Sequence, residues 1–311
     1  MGKTIEAVPN RKQHQAVRFL IGGSRQDDLV EAQARALERQ TLAGRSGSSH
    51  LWWARRWRQC LAVALVFENV GRTGMLFASP AEAPGVDVEA LIELLRKLGG
   101  FALGRGLSMV QSLLPPEAQS DKTVLERAGF AQLAQLTYMN WGLSRLEPSS
   151  PPGELEMVRV EGCGEAALAQ VIQASYRQSM DCPALEGVRQ IDDVIAGHKA
   201  SGVYRPESWW IAMWSGSPAG CLLLNDNPLG GAADVIYLGV VPEFRGRGLG
   251  RAMLQYAAQD IRRRGLGNMT LAVDAANRYA AAIYRSAGFK PLYSRDAYAL
   301  LSGKSQAPST K

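Results

Sequence analysis

The chain has little material for metal or redox chemistry. Four cysteines (Cys60, Cys163, Cys182, Cys221) and three histidines occur in 311 residues. The cysteines are widely spaced and no CxxC pair exists, so zinc and iron–sulfur sites lack their ligand spacing. Four reduced thiols and no metal are expected. No apolar run reaches the ~18 residues of a membrane-spanning helix. The longest, Cys60 to Phe67, has the length of a buried strand. Met1 to Gln15 holds no apolar core of a secretory signal, and Glu6 stands where a myristoylation signal requires Ser or Thr. A cytoplasmic location without a membrane partner is the expectation. Long basic stripes are missing too. The net charge is +6, yet Arg55-Arg56-Trp57-Arg58 and Arg262-Arg263-Arg264 are short clusters, read as solvated faces or a helix end. No nucleic-acid partner is expected.

What remains is an ordinary globular composition, 46% hydrophobic and 21% charged. Its length suits about two domains of ~150 residues. Leu146-Glu147-Pro148-Ser149-Ser150-Pro151-Pro152-Gly153 can continue neither a helix nor a ladder and reads as the linker. The expected domains are residues 1–147 and 154–303. The halves echo each other. Trp52-Trp53 matches Trp209-Trp210, Arg127-Ala128-Gly129-Phe130 matches Ser286-Ala287-Gly288-Phe289, and Tyr138 matches Tyr298. All three offsets lie near about 160 residues, which suggests a duplicated unit.

In the second half the pattern predicts strands at Glu156–Val160, Trp209–Trp214, Ala219–Asn225, Ala233–Val241 and Met269–Val273, with a last strand from Phe289. Helices are predicted at Gly164–Ser179, Glu186–Ser201, Leu249–Arg263 and Asn277–Ala287. In the first half Ala16–Ile21 reads as a strand, Asp27–Leu42 and Val86–Leu98 as helices.

Between a strand and the helix at Leu249 lies Arg245-Gly246-Arg247-Gly248-Leu249-Gly250. Backbone N–H groups converge in such a turn, and the positive end of the helix dipole faces whatever binds. The glycines let an oxyanion approach, and the arginines supply charge of the right sign. The spacing is neither GxGxxG nor GxxxxGK[ST], and Asp274 is the nearest acid to a ribose-binding position. The corresponding place in the first half reads Ser79-Pro80-Ala81-Glu82-Ala83-Pro84-Gly85. Two prolines remove donors there and Glu82 has the wrong charge, so the first half is expected to keep the fold and lack the cradle.

The second half resembles the GNAT superfamily of acyl-CoA N-acyltransferases. Arg245, Gly248 and Gly250 match its Q/R-x-x-G-x-G/A motif; Asn277, Tyr284 and Gly288-Phe289 match its later pattern. The resemblance covers residues 155–303. It implies an α/β fold of two tandem domains of this type, each a mixed central sheet flanked by helices, the N-terminal one degenerate. Within the superfamily, the tandem layout and the run Asp234 to Val240 resemble mycothiol synthase-like members. The implied co-substrate is acetyl-CoA, its pyrophosphate on the backbone of Arg245, Gly246, Arg247, Gly248, Leu249, Gly250 and Arg251, its pantetheine arm along Leu238, Gly239 and Val240. Asn277 is a further cofactor contact, with a helix N-cap as the plainer reading. Tyr284 is implied as general acid, against the reading of a core tyrosine. Asp234 stands where mycothiol synthase-like members have an acid and is the base candidate, with Glu243 a weaker alternative. Asp274 is a candidate substrate contact, and Trp209, Trp210, Trp214 and Tyr176 are candidates to wall the acceptor side. The expected activity is direct acetyl transfer to a primary amine of a small molecule. A protein amine acceptor and a non-catalytic acyl-CoA sensor are the alternatives, and a homodimer is compatible with all three.

Overall fold

A computed structural model describes residues 2–25, 27–41, 48–143, 154–185 and 187–303. The expected linker at 146–153 lies outside them. Two compact units form, one from the chain up to Leu133 together with the chain from Asp296 onward, the other from Ala134–Arg295.

The first unit contains β1 (Thr4–Ala7), α1 (Gln13–Gly22), α2 (Asp28–Thr41), β2 (Ser49–Arg56), β3 (Gln59–Asn69), β4 (Thr73–Ala78), α3 (Val88–Gly104), β5 (Met109–Leu114) and α4 (Gln119–Arg127). Its strands run in the order β1-β2-β3-β4-β5. The unbroken apolar run of β3 is buried on both faces. Ala62, Ala64 and Val66 pack with Leu91, Leu94, Leu95 and Leu98 of α3, while Val63 and Leu65 pack with Ala16, Val17 and Leu20 of α1. A strand covered on both sides has no reason to alternate. The segment Ala16–Ile21 is therefore helix, not the expected strand. Its buried residues Ala16, Val17 and Leu20 fall at i, i+1 and i+4, one helical face, and an apolar run this short does not reveal its period.

The parallel pair β4 and β5 is joined through α3, the helical crossover that parallel neighbours need. The start of α3 is closed to anions. Asp87 is its N-cap, and its carboxylate accepts the Ala90 N–H at 2.9 Å. The charge that a phosphate would bring is already covalently present.

The second unit contains β6 (Ala131–Gly142), of which residues 134 onward belong here, β7 (Leu155–Arg159), α5 (Val160–Cys163), α6 (Glu165–Tyr176), α7 (Ile191–Ala200), β8 (Val203–Trp214), β9 (Ser217–Asp226), β10 (Ala232–Val240), α8 (Leu249–Arg263), β11 (Asn268–Asp274), α9 (Arg278–Ala287) and the start of β12 (Lys290–Leu301). Along the sheet β6, β11, β10, β9, β8 and β7 are successive neighbours. The boundaries differ from a cut at residue 147. β6 follows the last helix of the first half but pairs antiparallel with β11, Met139 opposite Leu271 and Trp141 opposite Met269. Conversely, Asp296–Leu301 of β12 pair antiparallel with Leu114–Met109 of β5. Packing explains the exchange. Met139 and Trp141 are buried with Met269, Val273 and Phe289, and Tyr298 is buried with Phe130 and the α3 leucines. Gly288, with φ of 119°, closes α9 and permits this contact: a Cβ there would lie 2.6 Å from Trp141 Nε1. No helix among the described residues is long and apolar enough to cross a membrane.

Candidate active site

The sheet of the second unit opens where the cradle begins. β10 and β11 pair in parallel only from Ala232 opposite Asn268 to Asp234 opposite Thr270. Beyond that point β10 keeps its antiparallel partner β9, through Val240 opposite Gly220, and β11 keeps β6, through Asp274 opposite Leu136. The strands splay, with a bulge in β10 between Val235 and Tyr237 at the point of departure. From Val235 to Val240 one edge of β10 is therefore not laddered to β11. The Val241 N–H bonds Ala219 O of β9, so by alternation the backbone groups of Leu238 and Val240, and not those of Gly239, turn toward the gap. Gly239 is buried at a close approach: a Cβ there would lie 2.5 Å from Ser175 Oγ.

α8 starts beside this gap. Gly248 is its N-cap in the left-handed region, φ 77°, with no side-chain cap hydrogen bond and no acidic residue in the first turn. The first backbone bond of the helix runs from the Ala252 N–H to Gly248 O, so the N–H groups of Leu249, Gly250 and Arg251 precede the ladder. Gly246, with φ of 79°, and Gly248 face open space where a Cβ would stand. The residues present fit a pyrophosphate, in contrast to the Asp87-capped start of α3.

The two arginines differ in their surroundings. The Arg245 guanidinium donates to the carbonyls of Val240 (3.0 Å), Gln178 (3.1 Å), Ser175 (2.9 Å) and Arg177 (3.0 Å). It is spent on the carbonyl-rich end of α6 and the loop after it, where a cation is favoured. Arg247 is exposed, its guanidinium 5.8 Å from the Phe244 ring centroid and 5.9 Å from that of Trp214.

Tyr284 lies on the inner face of α9, 8% exposed, edge-on to Phe289 at 5.7 Å. Its hydroxyl has no hydrogen-bond partner among the described residues. Burial, and then the charge of Asp181, hold the phenol well above its usual range, so it keeps its proton. Asn277 caps α9, its Oδ1 accepting the Ala280 N–H at 3.1 Å. That is the plainer of its two expected roles, and it fixes the start of the helix that carries Tyr284.

Asp274, at the end of β11, is 4% exposed. Its carboxylate accepts the N–H groups of Ala276 at 2.9 Å and Cys182 at 3.4 Å. Asp181, Cys182 and Asp274 bring their side-chain oxygen and sulfur atoms within 4.8 Å of one another. No sequence signal pointed to Asp181 or Cys182; they lie in an irregular loop more than ninety residues from Asp274 in sequence. Crowding by protein and the Asp274 charge push the Asp181 carboxyl up. Burial, then Asp181 and Asp274, push the Cys182 thiol up to about 12, so it is not a thiolate nucleophile.

Asp234 sits inside the paired stretch. Its carboxylate accepts from the Thr270 hydroxyl and from Asn227 Nδ2 at 3.2 Å. Thr270 and Asp274 are four strand residues apart, so about 13 Å separates Asp234 from the Asp274 cluster along the sheet. Glu243 is exposed and paired with Arg177 at 2.8 Å. Trp209 and Trp210 are fully buried core residues, and the Trp209 indole donates to Asn225 Oδ1 at 3.0 Å. They wall no acceptor site. The strand they sit on is covered on both faces, so each ring enters a different core. Tyr176 is 37% exposed, edge-on to Tyr237 at 5.9 Å.

Beside Tyr237 lies His198 of α7, its ring stacked on the phenol at 5.6 Å. Burial, then the Arg189 charge, bring the imidazole down to about 4. The unfolded chain, with its histidine near ~6.5, then binds more protons between pH 6.5 and 4. Stability is fully present above pH 6.5 and is lost as pH falls toward 4. Wild-type protein is expected to lose about 2 kcal/mol from this residue between pH 7 and pH 5, a loss that His198→Gln removes. Urea melts of both proteins at the two pH values check this; equal losses would mean that His198 titrates freely in the fold.

Residues 162–289 match the model of the acetyltransferase (GNAT) family. A mycothiol acetyltransferase from Streptomyces avermitilis is 29% identical over 160 residues, 51% of this chain and 50% of that protein. The chain thus spans about half the length of these curated relatives. A crystallised N-acetyltransferase from Sphaerobacter thermophilus shares the fold with a TM-score of 0.61 at 19% identity, over 96% of this chain and 95% of that one. A tandem GNAT protein from the clavulanic acid biosynthesis pathway superposes with a TM-score of 0.53 at 14% identity, over 98% and 100%.

Proposed function

Residues 162–289 are a GNAT acetyltransferase domain, and from that premise we propose that the protein transfers the acetyl group of acetyl-CoA to a primary amine of a small molecule. The observation that carries this reading is the splay of β10 from β11 immediately before an N-terminus of α8 that no side chain caps. An extended arm can pair with the freed edge of β10, and a pyrophosphate can take the free N–H groups of α8. This fixes a thioester near Leu238 and Gly239, where a backbone N–H polarises its carbonyl as charge develops on oxygen.

The amine nitrogen then attacks the carbonyl carbon. The C–N bond forms, the C–S bond breaks, and the leaving sulfur takes the Tyr284 proton. A buried, protonated phenol with no hydrogen-bond acceptor among the described residues suits that task. Transfer is direct. The three partly or fully buried cysteines, Cys60, Cys182 and Cys221, all have their thiols pushed up, to about 11, 12 and 12, so none offers a thiolate for an acyl-enzyme step. The mycothiol acetyltransferases among the relatives favour a small-molecule acceptor over a protein. The amine's proton needs its own acceptor. Asp234, the expected base, already shares its carboxylate between Thr270 and Asn227.

Release of CoA from acetyl-CoA, measured across free amino acids, amino sugars, cysteinyl amides and short peptides, tests the reading. Turnover with small amines is expected. Turnover with peptides alone would make the acceptor a protein, and tight acetyl-CoA binding with transfer to nothing would leave a sensor.

A further inference from the structure

We propose that Asp181 receives the ammonium group of the acceptor and takes its proton, with Asp274 behind it and with Arg245 holding the Asp181 loop against the acetyl-CoA cradle. This rests on the N-acetyltransferase reading above and assigns the acceptor side of that site.

The loop from Arg177 to Cys182 is fastened at both ends. At its start, Arg245 binds the carbonyls of Ser175, Arg177 and Gln178, and Arg177 pairs with Glu243. At its end, the Cys182 N–H is held by Asp274 at 3.4 Å. Asp181 lies between these two anchors. Because Arg245 is the first residue of the cradle, its hydrogen bonds tie the loop to the cradle.

The groups around Asp181 come from four elements and its own loop. They are Asp274 of β11, Tyr284 of α9, Tyr176 of α6, Tyr237 of β10 and Cys182. None is cationic. Neither carboxylate has an ion-pair partner among the described residues: Asp274 is satisfied by backbone N–H groups alone. Two adjacent carboxylates with no ion-pair partner among the described residues form a site that attracts a cation and repels an anion. Tyr284 is the second mark of a ligand. It is more than nine-tenths buried, its hydroxyl makes no hydrogen bond among the described residues, and burial, then the Asp181 charge, hold its proton in place.

Exposure separates the two carboxylates. Asp181 reaches solvent and Asp274 does not. Only Asp181 can exchange a proton with water after each turnover. In the step, one N–H bond of the ammonium breaks, its electron pair stays on nitrogen, and an O–H bond forms on Asp181. The freed lone pair attacks the acetyl carbon. Asp274, by its charge, raises the proton affinity of Asp181 and so favours this transfer at neutral pH.

The test compares kcat/KM against pH for wild type, Asp181→Asn, Asp181→Glu and Asp234→Asn, using the best amine of the panel above. Acetyl-CoA affinity is measured by calorimetry on each. Asp181→Asn is expected to lower kcat/KM by ~10²–10³-fold at pH 7 while acetyl-CoA affinity stays within about two-fold. Its profile should rise about tenfold per pH unit up to the pKa of the amine, since only free amine then reacts. Asp181→Glu should restore part of the rate. An Asp181→Asn enzyme with the wild-type rate and profile would overturn the proposal, and so would a profile change found in Asp234→Asn alone. Wild-type protein that transfers to no amine fails differently, because it sinks the N-acetyltransferase reading itself.

Discussion

Gly248→Glu is expected to abolish measurable acetyl-CoA binding while the protein stays folded. The residue is the N-cap of α8 with φ of 77°, and a Cβ there meets nothing within 4 Å. A side chain is therefore not excluded by the protein. It occupies the space that the co-substrate needs. Three effects separate in size. Any non-glycine residue in the left-handed region costs about 1–2 kcal/mol of stability. The carboxylate itself is tolerated by the helix, because negative charge at an N-terminus is favourable by ~0.3–1 kcal/mol. Binding suffers far more. A carboxylate over the amides of Leu249, Gly250 and Arg251 takes the place of the pyrophosphate and repels it. Losing two charge-assisted hydrogen bonds at ~1.5–3 kcal/mol each weakens binding by ~10²–10⁴-fold. Gly248→Ala carries the same backbone cost without the charge, and calorimetry on both variants divides strain from competition. Undiminished acetyl-CoA affinity in Gly248→Glu would mean that the cradle binds something else.

The same helix start shows how much of the site was legible in the sequence. The bounds of α8, the Asn277 cap and the Gly288 stop were all readable, because glycine, asparagine and apolar periodicity mark local backbone geometry. Reading failed where partners are distant. The repeated landmarks predicted two similar units, but they could not say which sheet a strand joins. Tyr138 on β6 lies in the second unit and Tyr298 on β12 in the first. Pairing is decided by long-range packing of Met139, Trp141 and Tyr298, on which local pattern is silent. Arg245 was legible as a motif residue, but the four carbonyls its guanidinium meets were not, since a guanidinium suits carbonyls as well as phosphates. Asp181 carried no signal at all. Its meaning comes from Asp274 and Tyr284, which only the fold brings near it.

Tyr284→Phe is expected to lower kcat by ~10²–10³-fold with acetyl-CoA affinity almost unchanged. The hydroxyl makes no hydrogen bond among the described residues, so its removal leaves no orphaned partner and costs less than about 1 kcal/mol of stability. A tyrosine kept only for packing would behave differently, since phenylalanine fills the same space and turnover would survive. The pH profile adds a second discrimination. A phenol held above its ordinary value keeps its proton through neutral and moderately alkaline pH, so wild-type activity should not fall until pH exceeds ~10. The alkaline fall belongs to Tyr284 and should vanish with it, leaving a low rate that keeps its rising limb and then levels off. The Asp181 variant changes the rising limb and the Tyr284 variant the falling one. If Asp181 and Tyr284 serve opposite ends of one transfer, removing both should cost less than the product of the single losses, because each residue's contribution depends on the other's step. Full multiplicativity in that double variant would place the two groups in independent roles.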